Sequence, residues 1–187
     1  MRIISGTMRG TKLFTLEGDN TRPTLDRVKE ALFSKINFEL EDSIVLDMFS
    51  GSGALGLESL SRGANKAVLC DSSKDAIKVI KQNITKTRTE DKIILLNLDY
   101  RKAIEKIKEE KIKFDIVFLD PPYKTNFAAD ASEKIVQEDL LNKDGLIIIE
   151  TDEKDRTINE LNTSLLEILE IKKYGRVYLL FLKSVKN

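Results

Sequence analysis

Between residues 43 and 152, short apolar runs alternate with longer segments whose apolar residues recur at helical spacing. This rhythm leaves few folds open: each run suits a strand, each intervening segment can hold a crossover helix, and together they describe a parallel sheet wrapped by helices. The runs are SIVLDMF (43–49), KAVLCD (66–71), KIILLNL (92–98), FDIVFLD (114–120) and GLIIIET (145–151). Their continuous apolarity predicts burial on both faces. The segments ALGLESLSRG, SKDAIKVIKQNITK, YRKAIEKIKEE and ASEKIVQEDL read as helices, with Ala76, Ile77, Ile80 and Ile84 forming a stripe on the second.

The flanks read differently. In LEIKKYGRVYLLFLK, two strand-like runs meet at Tyr174 and Gly175, too close for a crossover helix, which predicts an antiparallel pair closing one edge of the sheet. Ahead of the core, RIISG and TKLFTL predict a small hairpin. TLDRVKEALFSKINF predicts a helix capped by Thr24, with Val28, Leu32 and Ile36 on one face. A length of 187 residues suits one domain, with residues 1–40 as an extension and 41–187 as the core.

Lys plus Arg and Asp plus Glu are both 31, so nothing in the total charge calls for a polyanionic partner, and a nucleic-acid surface must be local. Residues 1–16 carry Arg2, Arg9 and Lys12 with no acid, which makes the amino terminus the better candidate. Residues 73–113 hold 12 basic against 7 acidic side chains, an excess that a lysine-rich solvated surface explains equally well. The single Cys70 rules out an internal disulfide framework, and the absence of His removes imidazole as metal ligand or base. A reduced, cytoplasmic setting fits. No apolar stretch approaches the roughly 20 residues that span a bilayer, and the start MRIISGTMRG lacks a signal-peptide core.

Residues 47–56, DMFSGSGALG, place Gly51, Gly53 and Gly56 in G-x-G-x-x-G spacing after a strand and at the opening of a helix. Glycines there allow a tight turn and close approach of a ligand to the backbone. Phe49 and Ser52 belong to the same turn. Asp71 ends the next strand, 20 residues beyond Gly51, where a carboxylate can hold both ribose hydroxyls. These features predict an adenosine-type cofactor, and dinucleotides and S-adenosylmethionine are both compatible. Asp47, immediately before the turn, shifts the balance: it would repel a pyrophosphate and attract the ammonium of a methionine moiety.

The fourth run ends in VFLDPPYKT (117–125). In a doubly wound sheet of order 3-2-1-4-5, this loop and the glycine turn face one crevice at the carboxyl ends of adjacent strands. Proline fixes φ and restricts its predecessor, so the segment after Asp120 is stiff, and neither Pro121 nor Pro122 has an N–H. A strand-ending turn uses the same residues; its pairing with the glycine turn favours function. Hydrogen bonds from an exocyclic amine to the Asp120 carboxylate and the Pro121 carbonyl would make that nitrogen more nucleophilic, with Tyr123 stacked on the base. Methyl transfer would then rest on positioning and electrostatics, with Asp120 or an adjacent water taking the proton. The base must be single-stranded or flipped. Cys70, inside AVLC, reads as packed rather than reactive.

At these residues the chain resembles the class I S-adenosylmethionine-dependent methyltransferases, and within them the RsmD family of bacterial 16S ribosomal RNA guanine-N2 methyltransferases. The likeness is carried by RIISGTMRGTKL, TRPTLDRVKEALF, VLDMFSGSGALGLESLSRGA and FLDPPY. It implies a seven-stranded, mostly parallel Rossmann-like sheet with an antiparallel carboxy-terminal strand. It also implies N2-methylation of a guanine in 16S ribosomal RNA already folded with proteins of the small subunit. The expected cofactor is S-adenosylmethionine, with no metal and no membrane, and the expected state is a monomer. Carried over by position, Asp47, Gly51 and Gly53 line the methionine end, Asp71 the ribose, and Asp99 the adenine amino group. Arg22 and Thr24 would lie at the substrate entrance with Arg9 and Lys12. Two alternatives stay open: an adenine-N6 DNA or RNA methyltransferase, and a non-catalytic RNA-binding assembly factor.

Overall fold

The computed structural model describes residues 1–16, 23–122 and 124–185. Five runs form parallel strands: β1 (Ile44–Asp47), β2 (Lys66–Cys70), β3 (Ile93–Leu96), β4 (Phe114–Leu119) and β5 (Leu141–Thr151). β6 (Leu166–Tyr174) and β7 (Val177–Ser184) complete the sheet, whose order is β3-β2-β1-β4-β5-β7-β6. β7 lies between β5 and β6 and is antiparallel to both. The two-residue turn from Tyr174 to Val177 contains Gly175 at φ 63°, a left-handed conformation that suits a tight hairpin.

The β1, β2, β4 and β5 side chains point alternately to two cores, as the pleat requires. Leu46, Val68, Val117, Ile147 and Ile149 pack with α4 (Tyr100–Glu109) and α5 (Phe127–Gln137). Val45, Ala67, Leu69, Ile116, Phe118 and Ile148 pack with α1 (Pro23–Lys35) and α3 (Lys74–Thr87). The connection through α2 (Ala54–Ser61) leads from β1 to β2, whereas α4 returns the chain from β3 to β4 on the other side of β1. A crevice therefore opens between the carboxyl ends of β1 and β4.

Several expectations need correction. α1 begins at Pro23, so Thr24 lies inside its first turn and is not the cap; proline at the first helical position has no N–H to leave unsatisfied. The amino-terminal hairpin is present and short: Arg2 bridges Lys12, and Ile3 N–H to Thr11 O (3.0 Å), Gly10 N–H to Ile3 O (2.9 Å) and Leu13 N–H to Met1 O (3.0 Å) join its arms. Side chains of the core hold this segment as well. The fully buried Glu58 carboxylate accepts the N–H groups of Ile4 (2.8 Å) and Ser5 (3.0 Å), and Asn83 pairs with both the N–H (2.8 Å) and the carbonyl (2.9 Å) of Phe14. α5 starts four residues before its apolar stripe suggests, because Ala128 and Ala129 also bury. A helix that the pattern does not announce, α6 (Lys154–Glu160), has Thr157 as its one buried residue, bonded to Thr151 at 3.0 Å.

Candidate active site

β1 ends in Asp47 at the centre of the sheet, so its carboxylate is 2% exposed. The chain then bends back, and Ser50 ties the bend: its hydroxyl donates to Asp47 O at 2.6 Å and accepts Cys70 N–H at 3.0 Å. One oxygen of Asp47 accepts the N–H of Gly56 at 3.2 Å. Burial pushes the Asp47 carboxyl up to about 7, the Gly56 N–H pulls the other way, and the Asp71 carboxylate adds repulsion.

The three glycines have separate tasks. Gly51, at φ 55°, would point a Cβ into open space, so its bare backbone faces the crevice. Gly53 caps α2 at φ 77° and packs on Leu69 and Ile80. A Cβ on Gly56 would stand 2.2 Å from Leu69 Cδ2, so this residue is required for close packing of helix on sheet. Asp71 clamps the turn by accepting Gly51 N–H at 2.9 Å and Ser73 N–H at 2.8 Å. Each carboxylate oxygen has a second lone pair, which leaves Asp71 able to accept ribose hydroxyls.

Asp99 caps α4, its Oδ1 accepting the N–H groups of Arg101 (3.0 Å) and Lys102 (3.3 Å). Next to it, Tyr100, Phe49 and Phe127 form an aromatic wall, with ring centroids 5.1 Å apart for Tyr100 and Phe127 and 5.7 Å for Phe49 and Tyr100. The Tyr100 hydroxyl donates to Asp130 at 2.6 Å; burial and this bond push the phenol up to about 12, so it stays neutral.

Phe49, Gly51, Asp71, Asp99, Tyr100 and Phe127 line a cavity of about 710 Å³, a size suited to a nucleoside-like ligand. Its opposite rim is Asp120, Pro121 and Pro122, with Glu150 beside them. A smaller pocket of about 140 Å³ continues from it past Asp47, Ser52, Lys29 and Leu32, and again touches Asp120 and Glu150. Burial raises the Glu150 carboxyl above the ordinary carboxylate range. The Pro122 carbonyl accepts the Thr125 hydroxyl at 2.8 Å, which pins the loop after the two prolines.

The structure thus brings Asp47, Phe49, Gly51, Ser52, Asp71, Asp99, Asp120, Pro121 and Pro122 to two connected cavities. Gly53 lines neither of them, because its positive φ and its packing on Leu69 place it beneath the turn. Arg9 and Lys12 are exposed on the amino-terminal segment, whose Met1 and Leu16 line the larger cavity. Tyr123 and Arg22 lie outside the described residues. Sequence reasoning missed Tyr100, Phe127 and Glu150. Glu150 carried a signal: it ends GLIIIE as Asp47 and Asp120 end their own runs. Cys70 is buried, and burial beside Asp71 pushes its thiol up to about 12, which leaves it unreactive. No helix among the described residues is long and apolar enough to cross a membrane. No cluster of potential metal ligands occurs among them either.

A family pattern described as Conserved hypothetical protein 95 matches residues 1–183. The chain belongs to that family. It is 36% identical over 171 residues to Ribosomal RNA small subunit methyltransferase D of Haemophilus influenzae, covering 89% of this chain and 86% of that one. The Escherichia coli protein of the same name is 31% identical over 152 residues, 81% of this chain and 75% of that one. Among solved structures, "Putative methyltransferase yhhF from Escherichia coli" superposes with a TM-score of 0.81 at 28% identity, covering 98% and 97% of the two chains.

Proposed function

We propose that this family member transfers a methyl group from S-adenosylmethionine to the exocyclic N2 of a guanine in 16S ribosomal RNA, within the small subunit. The observation that carries the reading is that Gly51 and Asp71 on one side, and Asp120 and Pro121 on the other, line the same cavity. Methylation of ribosomal RNA by a relative of the small-subunit methyltransferases fits this arrangement.

The residues suit a cationic nucleoside. Asp71, Asp99, Asp120 and Glu150 line the larger cavity, and the one basic side chain among its described lining residues, Arg101, is paired to Asp130. Such a set disfavours a pyrophosphate. When bound, S-adenosylmethionine supplies an electrophilic methyl group on a cationic sulfur. Asp47 would balance the ammonium of the methionine moiety, Asp71 would accept from the ribose hydroxyls, Asp99 would accept from the adenine amino group, and Tyr100 and Phe127 would offer apolar ring surface to the purine. Asp120 and the Pro121 carbonyl would accept hydrogen bonds from the guanine amine, which orients its lone pair; as the new N–C bond formed and the S–CH3 bond broke, the electron pair would go to sulfur, leaving neutral S-adenosylhomocysteine, and the Asp120 carboxylate would take the amine proton. Tyr123 completes the site by stacking on the base. Arg9, Lys12, Arg22 and Thr24 meet the RNA near the mouth of the cavity. The protein acts as a single domain and a monomer in the cytoplasm, without a metal.

Purified protein with labelled S-adenosylmethionine and unmodified 16S RNA, free and in small subunits, tests the proposal once the product is digested to nucleosides. N2-methylguanosine is the expected product. N6-methyladenosine overturns the guanine assignment, and absence of transfer to any of these RNAs overturns the enzyme.

A further inference from the structure

The amine-holding chemistry assigned to Asp120 and Pro121 suits N2 of guanine and N6 of adenine equally, because both are exocyclic amines conjugated to a purine ring. What separates the two bases is the neighbouring N1: guanine presents N1–H, a donor, whereas adenine presents a bare lone pair. A site that methylates guanine alone therefore gains from an acceptor beside the one that holds the amine.

The sheet supplies that acceptor. β4 and β5 run parallel in a register that pairs Phe118 with Ile148 and Leu119 with Ile149. One step beyond the last of these pairs, Asp120 is the first residue after β4 and Glu150 continues β5. Both residues line the larger cavity, and both also line the smaller pocket beneath the α1 side chains Val28, Lys29 and Leu32. Two carboxylates from adjacent strand ends that share a cavity can converge on the neighbouring N1–H and amine of one guanine edge. Burial raises the Glu150 carboxyl, and a ligand N–H reaching it from the cavity would offset part of that cost.

We infer that Glu150 is the specificity-determining residue that accepts the N1–H of the target guanine while Asp120 and the Pro121 carbonyl hold its amine. The inference rests on the proposed guanine methylation and adds the group that excludes adenine. A bare N1 lone pair facing this carboxylate is repelled, so adenine loses an attraction and meets a repulsion at the same atom.

The test compares two bases with the same exocyclic amine. The methylated nucleotide is mapped first. Small subunits are then reconstituted with 16S RNA carrying either guanine or 2-aminopurine at that position, and single-turnover methyl transfer is measured for wild type and Glu150→Gln. 2-Aminopurine retains N2 and lacks N1–H. Wild type is expected to favour guanine by about tenfold to a hundredfold, the scale of a base-edge hydrogen bond. In Glu150→Gln the side-chain amide can accept from N1–H or donate to bare N1, so the preference is expected to shrink at least about tenfold. Cofactor affinity should stay within about twofold, since no cofactor contact is assigned to this residue. An unaltered preference in the variant overturns the inference, whether both rates fall together or neither does. A wild-type enzyme that leaves guanine unmethylated and modifies adenine overturns the underlying reading as well, and the wild-type arm alone shows it.

Discussion

Asp47 and Asp120 end neighbouring strands of one sheet, each after an apolar run, yet the structure puts them in opposite states. Asp47 is buried, receives the N–H of Gly56 at 3.2 Å and is held at about 7, while Asp120 is exposed at the cavity rim. The backbone that follows each acid makes the difference. Glycines after Asp47 let the chain turn back over the strand end, so the acid is enclosed and given a donor. The two prolines after Asp120 have no N–H to offer and hold the chain extended. The same residue type at the carboxyl ends of two neighbouring strands becomes a buried counter-charge in one loop and an outward acceptor in the other.

The largest expected effect lies on the proline side. Asp120→Ala should slow methyl transfer by about a thousandfold or more at saturating cofactor, the combined scale of a lost base and a lost positioning contact. Single-turnover rates on unmodified small subunits check this. A loss of only a few fold would erase the contrast between the two loops by making Asp120 an ordinary turn residue.

On the glycine side, Asp47→Asn should weaken binding of the cationic cofactor by about tenfold to a hundredfold. The variant should also lose a pH dependence. The folded Asp47 carboxyl titrates near 7 against an ordinary value of 3.8. The folded chain therefore keeps a proton that the unfolded chain has released, and the cofactor-free protein loses stability as pH rises from about 4 to about 7. Over the upper part of that window wild-type cofactor affinity should rise, because binding an ammonium requires the ionised acid, and Asp47→Asn should be flat. Calorimetric titrations and thermal melts between about pH 5.5 and about pH 7.5 check both trends.

Within the glycine turn the effects should divide. Gly56→Ala drives a methyl group toward Leu69, which is fully buried, and should cost about 1–3 kcal/mol of stability by overpacking. Gly51→Ala meets no atom but forces φ 55° on a side chain; it should cost about 1 kcal/mol and, by intruding on the cavity, should impair cofactor binding more than folding. Denaturant melts with and without cofactor separate the two. The smallest effect should come from Arg9→Ala and Lys12→Ala: a few-fold loss of RNA affinity, with the salt slope lowered by about one for each phosphate contact removed.

Legibility in the sequence followed the locality of the interaction. The five core strands were readable because continuous apolarity is required wherever both faces are covered, and the glycine turn because its positive φ and close helix packing favour glycine. The pairing of the amino-terminal hairpin is legible in its own residues, whereas the long-range bonds to Glu58 and Asn83 that dock it on the core are not, because no local pattern encodes them. α6 escaped notice because it buries a threonine and no apolar stripe. At the site, Asp47, Asp71 and Asp120 were visible at the ends of apolar runs. Tyr100 and Phe127 became site residues only when the sheet order brought the starts of α4 and α5 together over the crevice. Glu150 was in plain view at the end of its own run. Its importance depends on β5 lying next to β4, which strand order alone establishes.

The division of labour between the two acids is tested most directly by measuring S-adenosylmethionine affinity side by side in Asp47→Asn and Asp120→Ala. The account predicts a loss of about tenfold or more in the first and a change within about twofold in the second. A reversed order, with Asp120→Ala losing the cofactor and Asp47→Asn retaining it, would contradict the assignment of one loop to the cofactor and the other to the acceptor amine.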